Sequence, residues 1–171
     1  MKILTILASH VLLAIPTHAQ FSPVRLDVRQ STKTDSKGKT HDTKSQTRSL
    51  TITLQNTSKE PQNDLVVKYW FIGRDLKSKD LAVIKSGERK SSIPPSGKDM
   101  VESEDVSSTY TEAHSQVSAG KHGSGGKSGN PKVKKVEASG DKIAGYAVQV
   151  LKDGKIVAEA YSEPSYKSIA H

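Results

Sequence analysis

Residues 143–161 read IAGYAVQVLKDGKIVAEAY and contain the clearest indication of the fold. Apolar and polar positions alternate on both sides of the dipeptide Asp153-Gly154. Alternation is typical of half-buried β-strands, and Asp-Gly favours a type I′ turn because both residues accept a positive φ. The stretch therefore predicts two antiparallel strands, 143–151 and 155–161, joined by a two-residue turn.

Other segments carry strand patterns too, and the mature chain shows no sustained helical repeat. Strict alternation marks 24–28 and 50–55, and a continuous apolar run, LVVKYWFI, occupies 65–72. A shorter apolar run at 81–84 and part of the Ser/Thr-rich segment 100–118 complete the set. Short strands separated by Gly, Pro and Asn turns are typical of a sandwich. We predict an all-β, immunoglobulin-like antiparallel β-sandwich of about six or seven strands.

Four segments predict connections or ends rather than core. The polar stretch 30–46 is either a long hairpin loop or a pair of strand ends that extend past the core. Ile93-Pro94-Pro95-Ser96-Gly97 is a turn that no central strand accommodates. Residues 119–141 are rich in Gly, Ser and Lys and predict a long flexible insertion, disordered within the domain, because they offer little apolar surface to bury. Residues 166–171 form a tail that we expect to fray.

The N-terminal residues predict export. Lys2 precedes an apolar run over 3–15, and Thr17-His18-Ala19 supplies small residues for cleavage after Ala19, so residues 1–19 are a signal peptide. A run of this length is shorter than the roughly 20 residues that span a bilayer, and we expect no membrane span. The domain then covers 20–165. The chain contains no cysteine, whereas small exported eukaryotic domains usually carry disulfides; a bacterial periplasmic or cell-surface protein is therefore favoured.

The stretch GKHGSGGKSG, residues 120–129, looks at first like a phosphate-binding loop. In that motif the first Gly would occupy position 121, which is Lys, and a helix should follow where Gly129-Asn130-Pro131 stands. We therefore expect no nucleotide. A lysine-rich segment attracts polyanions, but it has no interleaved aromatics to stack bases, so an anionic glycan is favoured over nucleic acid. The candidate polyanion-binding residues are Lys121, Lys127, Lys132, Lys134 and Lys135.

Catalytic and metal-binding patterns are weak in this sequence. The mature chain's four histidines lie at no metal-ligand spacing. Glu102 and Glu104 share one face of a strand, where they could bind calcium, perform acid–base chemistry or simply be solvated at an edge. We expect no cofactor, no metal and no enzymatic activity.

Trp70 is the single tryptophan, in the run Lys68-Tyr69-Trp70-Phe71. Alternation places Tyr69 and Phe71 in the core and Trp70 on the opposite face with Lys68. Packing under a covering loop, or burial in place of its neighbours, is favoured for such a tryptophan, but an exposed one can stack on a sugar ring. Trp70 is therefore a candidate glycan or partner contact.

Three segments resemble a group of small exported β-sandwich proteins of Verrucomicrobia and related bacteria: 67–75, 93–98 and 145–155. The resemblance implies an immunoglobulin-like fold and, since some members are encoded beside type IV pilus-like machinery, an accessory role at a pilus. The shared segments are structural, so no functional residue is carried over.

We therefore expect a non-catalytic secreted immunoglobulin-like module that binds a protein partner at the bacterial cell envelope, plausibly at a pilus or secretion component. The alternative is an adhesin that binds a glycan or polyanion through the lysine-rich loop. A hydrolase with a scattered site is the third reading.

Overall fold

The computed structural model describes residues 22–37, 43–118 and 132–171. Within them the chain forms ten strands and one short 3-10 helix, Pro164–Ser168. The strands are β1 Val24–Lys37, β2 Thr43–Asn56, β3 Gln62–Asp75, β4 Leu81–Ile93, β5 Lys98–Glu102, β6 Val106–Thr111, β7 His114–Ser118, β8 Lys132–Val136, β9 Ser139–Lys152 and β10 Lys155–Tyr161. In this described part of the chain, no helix has the length and apolar character needed to cross a membrane.

The strands form two antiparallel layers and a separate hairpin. In the first layer β1 pairs with one side of β2, and β5 and β6 pair in turn with its other side. The second layer has the order β4-β3-β9-β10. Strand β9 links the layers, because Ser139 and Gly140 pair with β6 before the rest of the strand pairs with β3. The hairpin consists of β7 and β8.

The main core lies between the two layers and follows the strand alternation. Leu50, Ile52 and Leu54 of β2 are fully buried against Tyr69 and Phe71 of β3. Each such side chain contributes about 1.5–3 kcal/mol to stability through burial. The predicted all-β antiparallel architecture is therefore confirmed, and Tyr69 and Phe71 occupy the predicted inner face.

A second, smaller core covers the outer face of the second layer. Trp70 and Ile72 point away from the main core and pack with Ala147, Tyr166 and Ala170. Both faces of β3 are thus buried, which explains its continuous apolar run. The prediction that 166–171 fray is wrong: the 3-10 helix begins at Pro164, and Tyr166 has no exposed surface because it fills this apolar face.

The hairpin that led the sequence argument has the predicted turn. Lys152 pairs with Lys155, and the two residues between them have positive φ, 51° at Asp153 and 74° at Gly154. These are the torsions of a type I′ turn, whose twist matches that of the flanking strands.

Several predicted loops are shorter than expected. β1 extends to Lys37 and β2 begins at Thr43, so of the two interpretations of the polar segment 30–46, strand ends are confirmed for the residues that the structure describes. The prediction of a loop over all of 119–141 is wrong at its C-terminal part, since 132–136 form β8 and 139–141 begin β9. The reason is that sheet pairing uses backbone groups and tolerates lysines on exposed strands. Residues 119–131 and the predicted signal peptide lie outside the described residues.

Candidate functional site: a cationic cleft at one end of the sandwich

The lysines predicted to bind polyanions do not form one cluster within the described residues. Lys121 and Lys127 lie outside them, and Lys132 begins β8. Lys134 and Lys135 are exposed on β8, but neighbouring residues of a strand point to opposite faces. The described part of this group therefore offers two separate charges on a small hairpin.

Trp70 lies on the outer face predicted from its alternation with Tyr69, and because that face is covered the indole packs and does not stack on a sugar. Its side chain is 8% exposed, because the C-terminal residues Tyr166 and Ala170 cover the outer face on which it lies. A groove of about 310 Å³ runs beside it, lined by Lys68, Glu88 and His171 among others. Trp70 lines that groove, but so little of it is exposed that packing is the role the structure gives to it.

The acidic cluster near β5 has a structural partner. The Glu104 carboxylate lies 2.9 Å from Lys85 Nζ and 3.3 Å from an Arg89 nitrogen, both on β4. Hydrogen bonds from Lys85 and Arg89 hold the pKa of Glu104 below its usual value. Within the described residues, no group of three or more His, Asp or Glu side chains is placed to hold a metal ion. The cluster therefore ties the β5–β6 connection to β4.

A candidate site is an open cleft of about 510 Å³ where one end of the two layers meets the C-terminal segment. The N-terminal part of β2, the C-terminal end of β3 and the N-terminal part of β9 lie at this cleft. The cleft is lined by Arg48, Arg74, Leu76, Lys79, Lys142, Ile143, Ala144, Glu163 and Tyr166. Four cationic side chains and one carboxylate therefore face this space.

Arg48 is the central feature of the cleft. It shares the inward face of β2 with Gln46 and Leu50, so its side chain starts from a core position and is only partly exposed. With their amides turned so that oxygen faces the guanidinium, Gln30 accepts from Nε at 3.0 Å and Nη1 at 2.7 Å, and Gln46 from Nε at 3.0 Å and Nη2 at 2.9 Å. Two neutral side chains thus position this cation.

The charge of Arg48 is not neutralised by these contacts. Within the described residues, no carboxylate oxygen lies within 4.0 Å of its nitrogens. Burial lowers the pKa of Arg48, although a guanidinium remains protonated in proteins. Partly buried charges are normally paired, so this arrangement is suited to an anion that comes from elsewhere.

Tyr166 places an unsatisfied hydroxyl at the same cleft. Its side chain has no exposed surface. The hydroxyl meets strict hydrogen-bond geometry with no described residue, although Glu163 and Arg74 are close enough to interact with it as hydrogen-bonding neighbours. Burial raises the pKa of Tyr166, and the nearby Glu163 carboxylate adds to that rise while Arg74 opposes it. Tyr166 is also close enough to Arg48 to influence the pKa of the guanidinium. Leaving such a hydroxyl unpaired costs about 1–3 kcal/mol.

The other cations of the cleft differ in how far they are already engaged. Lys142 Nζ lies 3.1 Å from Glu112 and 5.2 Å from the centre of the Tyr110 ring. Lys79 Nζ donates to the carbonyl of Leu76 at 2.6 Å, whereas Arg74 is exposed and has no carboxylate within 4.0 Å in the described structure. The cleft can therefore bind negative charge through Arg48 and Arg74 and donate a hydrogen bond from Tyr166.

The residues of the cleft carry few signals in the sequence. Arg48 carried a signal, since the alternation Gln46-Arg48-Leu50 places a cation where a core residue is expected. Tyr166 falls in the predicted tail, and Arg74 falls beyond the apolar run that ends at residue 72. Nothing local in the sequence brings the end of β3, the start of β9 and the C-terminal segment together.

The strand pairings place this chain in the class of all-β proteins with a sandwich-like fold. No family model matches the chain, and no curated protein matches it. Among solved structures it is similar to Northeast Structural Genomics Consortium target SoR45, with a TM-score of 0.36 and 16% identity over 71% of this chain and 88% of that one. A likeness at this level adds nothing to the fold that the pairings define.

Proposed function

We propose that this protein is a non-catalytic binding module of immunoglobulin-like architecture and that it captures an anionic ligand in the cleft. The observation that carries this proposal is Arg48, a partly buried guanidinium positioned by two neutral amides beside the unpaired hydroxyl of Tyr166. Burying an unneutralised charge costs stability. A binding site repays that cost when its ligand supplies the missing charge.

The order of the strands supports the immunoglobulin-like part of the proposal. Strands β1, β2 and β5–β6 correspond in position to the A, B and E strands of an immunoglobulin sandwich, and β4, β3, β9 and β10 to C′, C, F and G. In that architecture binding residues commonly lie at the ends of the sandwich, where loops cluster. The cleft occupies one such end.

Binding rather than catalysis fits the residues that line the cleft. The lining contains one carboxylate, Glu163, and no serine, threonine or histidine among its described members. Glu163 lies beside a hydroxyl and an arginine, which orient a ligand but do not form an acid–base pair with a nucleophile. The four cations instead concentrate negative ligands at the cleft.

We further propose that the module acts outside the cytoplasm, at a bacterial envelope and on a protein partner, such as a pilus or secretion component. The apolar run over 3–15 with Thr17-His18-Ala19 supports export, and the resemblance to exported sandwich proteins supports the setting. Mass spectrometry of the protein from fractionated cells tests the location. A mature N-terminus at Gln20 in the periplasm or at the cell surface is the expected result.

Calorimetric titration with acetate, phosphate and sulfate at low and physiological salt tests the anion-binding proposal. We expect the protein to bind at least one of them and Arg48→Gln to weaken that binding by about tenfold, because a charge-assisted contact is lost. Arg25→Gln is the matched control, since Arg25 is exposed on β1 away from the cleft. An equal loss of anion affinity in Arg48→Gln and Arg25→Gln would contradict the proposal. Loss only in a Lys134→Gln/Lys135→Gln variant would assign anion binding to the β7–β8 hairpin instead.

A further inference from the structure

Resting on the proposed function, we propose that the anion is a carboxylate and that its source is the free C-terminal end of a partner polypeptide with an apolar last residue. Three properties of the cleft favour this ligand over a phosphate or sulfate group. They are its charge balance, the donors it leaves available and its apolar wall.

The charge balance suits a ligand with one negative charge. Lys142 is already paired with Glu112, and Lys79 Nζ, which has no carboxylate within 4.0 Å in the described structure, donates to the carbonyl of Leu76. Arg48 and Arg74 are the two guanidinium groups of the cleft, and neither has a carboxylate within 4.0 Å among the described residues. Glu163 lines the same cleft and would repel a second negative charge on the ligand. A phosphate monoester carries close to two charges at neutral pH, whereas a carboxylate carries one.

The available donors match a planar pair of oxygens. Gln30 and Gln46 engage Nε and one hydrogen on each Nη of Arg48, so one N–H remains on each terminal nitrogen of the five that the group carries. Two N–H groups at the end of a guanidinium bind a carboxylate in a bidentate manner. Tyr166 lines the same cleft, and its hydroxyl, which meets strict hydrogen-bond geometry with no described residue, can turn its proton from the neighbouring Glu163 carboxylate to the ligand as a third donor.

The apolar wall of the cleft favours a ligand that carries an aliphatic group next to its carboxylate. Leu76, Ile143 and Ala144 line the cleft together with the cations, so an aliphatic side chain attached to the carboxylate would be sheltered from water. The volume of about 510 Å³ lies within the range of about 300–1,000 Å³ typical of ligand sites. That space exceeds what a lone carboxylate needs, and the opening lets a chain continue into solvent. Capture of a C-terminal carboxylate is an established mode of peptide recognition.

The first measurement compares four probes on the wild-type protein, so its result does not depend on whether any variant folds. They are a short peptide that ends in leucine with a free carboxylate, the same peptide as a C-terminal amide, isovalerate and inorganic phosphate. We expect the free-acid peptide to bind at least about tenfold more tightly than the amide, because the amide cannot accept the bidentate contact. Arg48→Gln should remove that difference, and Arg25→Gln should retain it.

The outcomes separate this inference from the proposed function. Equal binding of acid and amide would overturn the carboxylate assignment. Tighter, Arg48-dependent binding of phosphate would also overturn it, while leaving the cleft an anion site. Isovalerate binding as tightly as the peptide would point to a small free acid and reject the polypeptide end. If Arg48 affects none of the probes and no anion binds, both the inference and the proposed function fail.

Discussion

Gly145 of β9 lies against the ring of Tyr166, since a Cβ built on residue 145 would stand 2.6 Å from the ring atom Cε2, and it would also stand 2.1 Å from Oγ of Ser162. The missing side chain is what lets Tyr166 settle on the outer face of the second layer. Because Tyr166 belongs both to the outer core and to the cleft, this one close approach couples the stability of the C-terminal segment to the candidate site.

Gly145→Ala should therefore weaken both properties at once. We expect the free energy of unfolding to fall by about 1–3 kcal/mol, the usual cost of overpacking a filled site, as measured by urea denaturation. Anion affinity should fall too, because Tyr166 and the nearby Glu163 are displaced. An alanine variant with unchanged stability would mean that the tail adjusts freely, and the coupling would not exist.

Tyr166→Phe should separate binding from stability. The substitution keeps the ring that fills the outer core and removes only a buried hydroxyl without a partner among the described residues. Since burying an unpaired hydroxyl carries a penalty, we expect the thermal midpoint to stay the same or rise while affinity for the anion falls several-fold.

Tyr161→Phe is the matched control for that variant. The Tyr161 hydroxyl donates to Glu159 at 2.9 Å and accepts from Gln149 at 3.2 Å, so its removal should lower stability by about 0.5–1.5 kcal/mol and leave anion binding unchanged. If Tyr166→Phe destabilises the protein more than Tyr161→Phe does, the hydroxyl of Tyr166 has a partner within the fold.

Much of the fold could be predicted from sequence because its strands carry local signals. The alternation over 50–55 and the Asp153-Gly154 turn specify strand, face and direction by rules that involve only neighbouring residues. The low-complexity composition of 119–141 predicted a loop throughout, because no local pattern in it indicates a strand. Pairing of β8 with β7 is made by backbone groups, which composition does not report.

The candidate site was far less predictable, because it depends on contacts between distant segments. Arg48, Lys142 and Tyr166 come from three elements that only the folded topology brings to one end of the sandwich. Alternation predicted the face of Trp70 correctly and favoured packing there, but it did not show that Tyr166 and Ala170, almost a hundred positions later, cover that face. Sequence patterns therefore report which side a residue faces better than what lies on that side.

Two glycines with positive φ should differ in how much stability is lost when each is replaced by alanine. Gly154 has φ 74° and nothing within 4 Å of a built Cβ, so Gly154→Ala should cost only the conformational penalty of about 1 kcal/mol. Gly140 has φ 84°, and its Cβ would also stand 2.5 Å from the Thr109 carbonyl oxygen. Gly140→Ala should therefore be the more destabilising variant in denaturant titrations. Equal costs would show that the crossing of β9 between layers is not constrained at this residue.

Glu112 should make stability depend on pH in the acid range. Hydrogen bonds from Lys44 and Lys142 hold the pKa of Glu112 below its usual value, which is about 4.3 in an unfolded chain. A carboxylate whose pKa is lower in the folded state contributes stability fully above the unfolded pKa, and that contribution is lost as pH falls through the folded pKa. Glu112→Gln should therefore be less stable than wild type at pH 7, and the difference should shrink below pH ~4. A constant difference across that range would mean that the carboxylate is not paired in solution.

The same substitution should strengthen anion binding at neutral pH. Glu112 neutralises Lys142 at 3.1 Å, and Lys142 lines the cleft, so Glu112→Gln leaves an additional positive charge free to face the ligand. We expect affinity for a carboxylate probe to rise about two- to fivefold at low salt and the gain to diminish at physiological salt, because exposed charges are screened there. Glu104→Gln is the control, since its partners Lys85 and Arg89 lie on β4 outside the cleft lining. An equal gain in both variants would indicate a general effect of net charge, whereas a gain confined to Glu112→Gln would locate the bound anion beside Lys142.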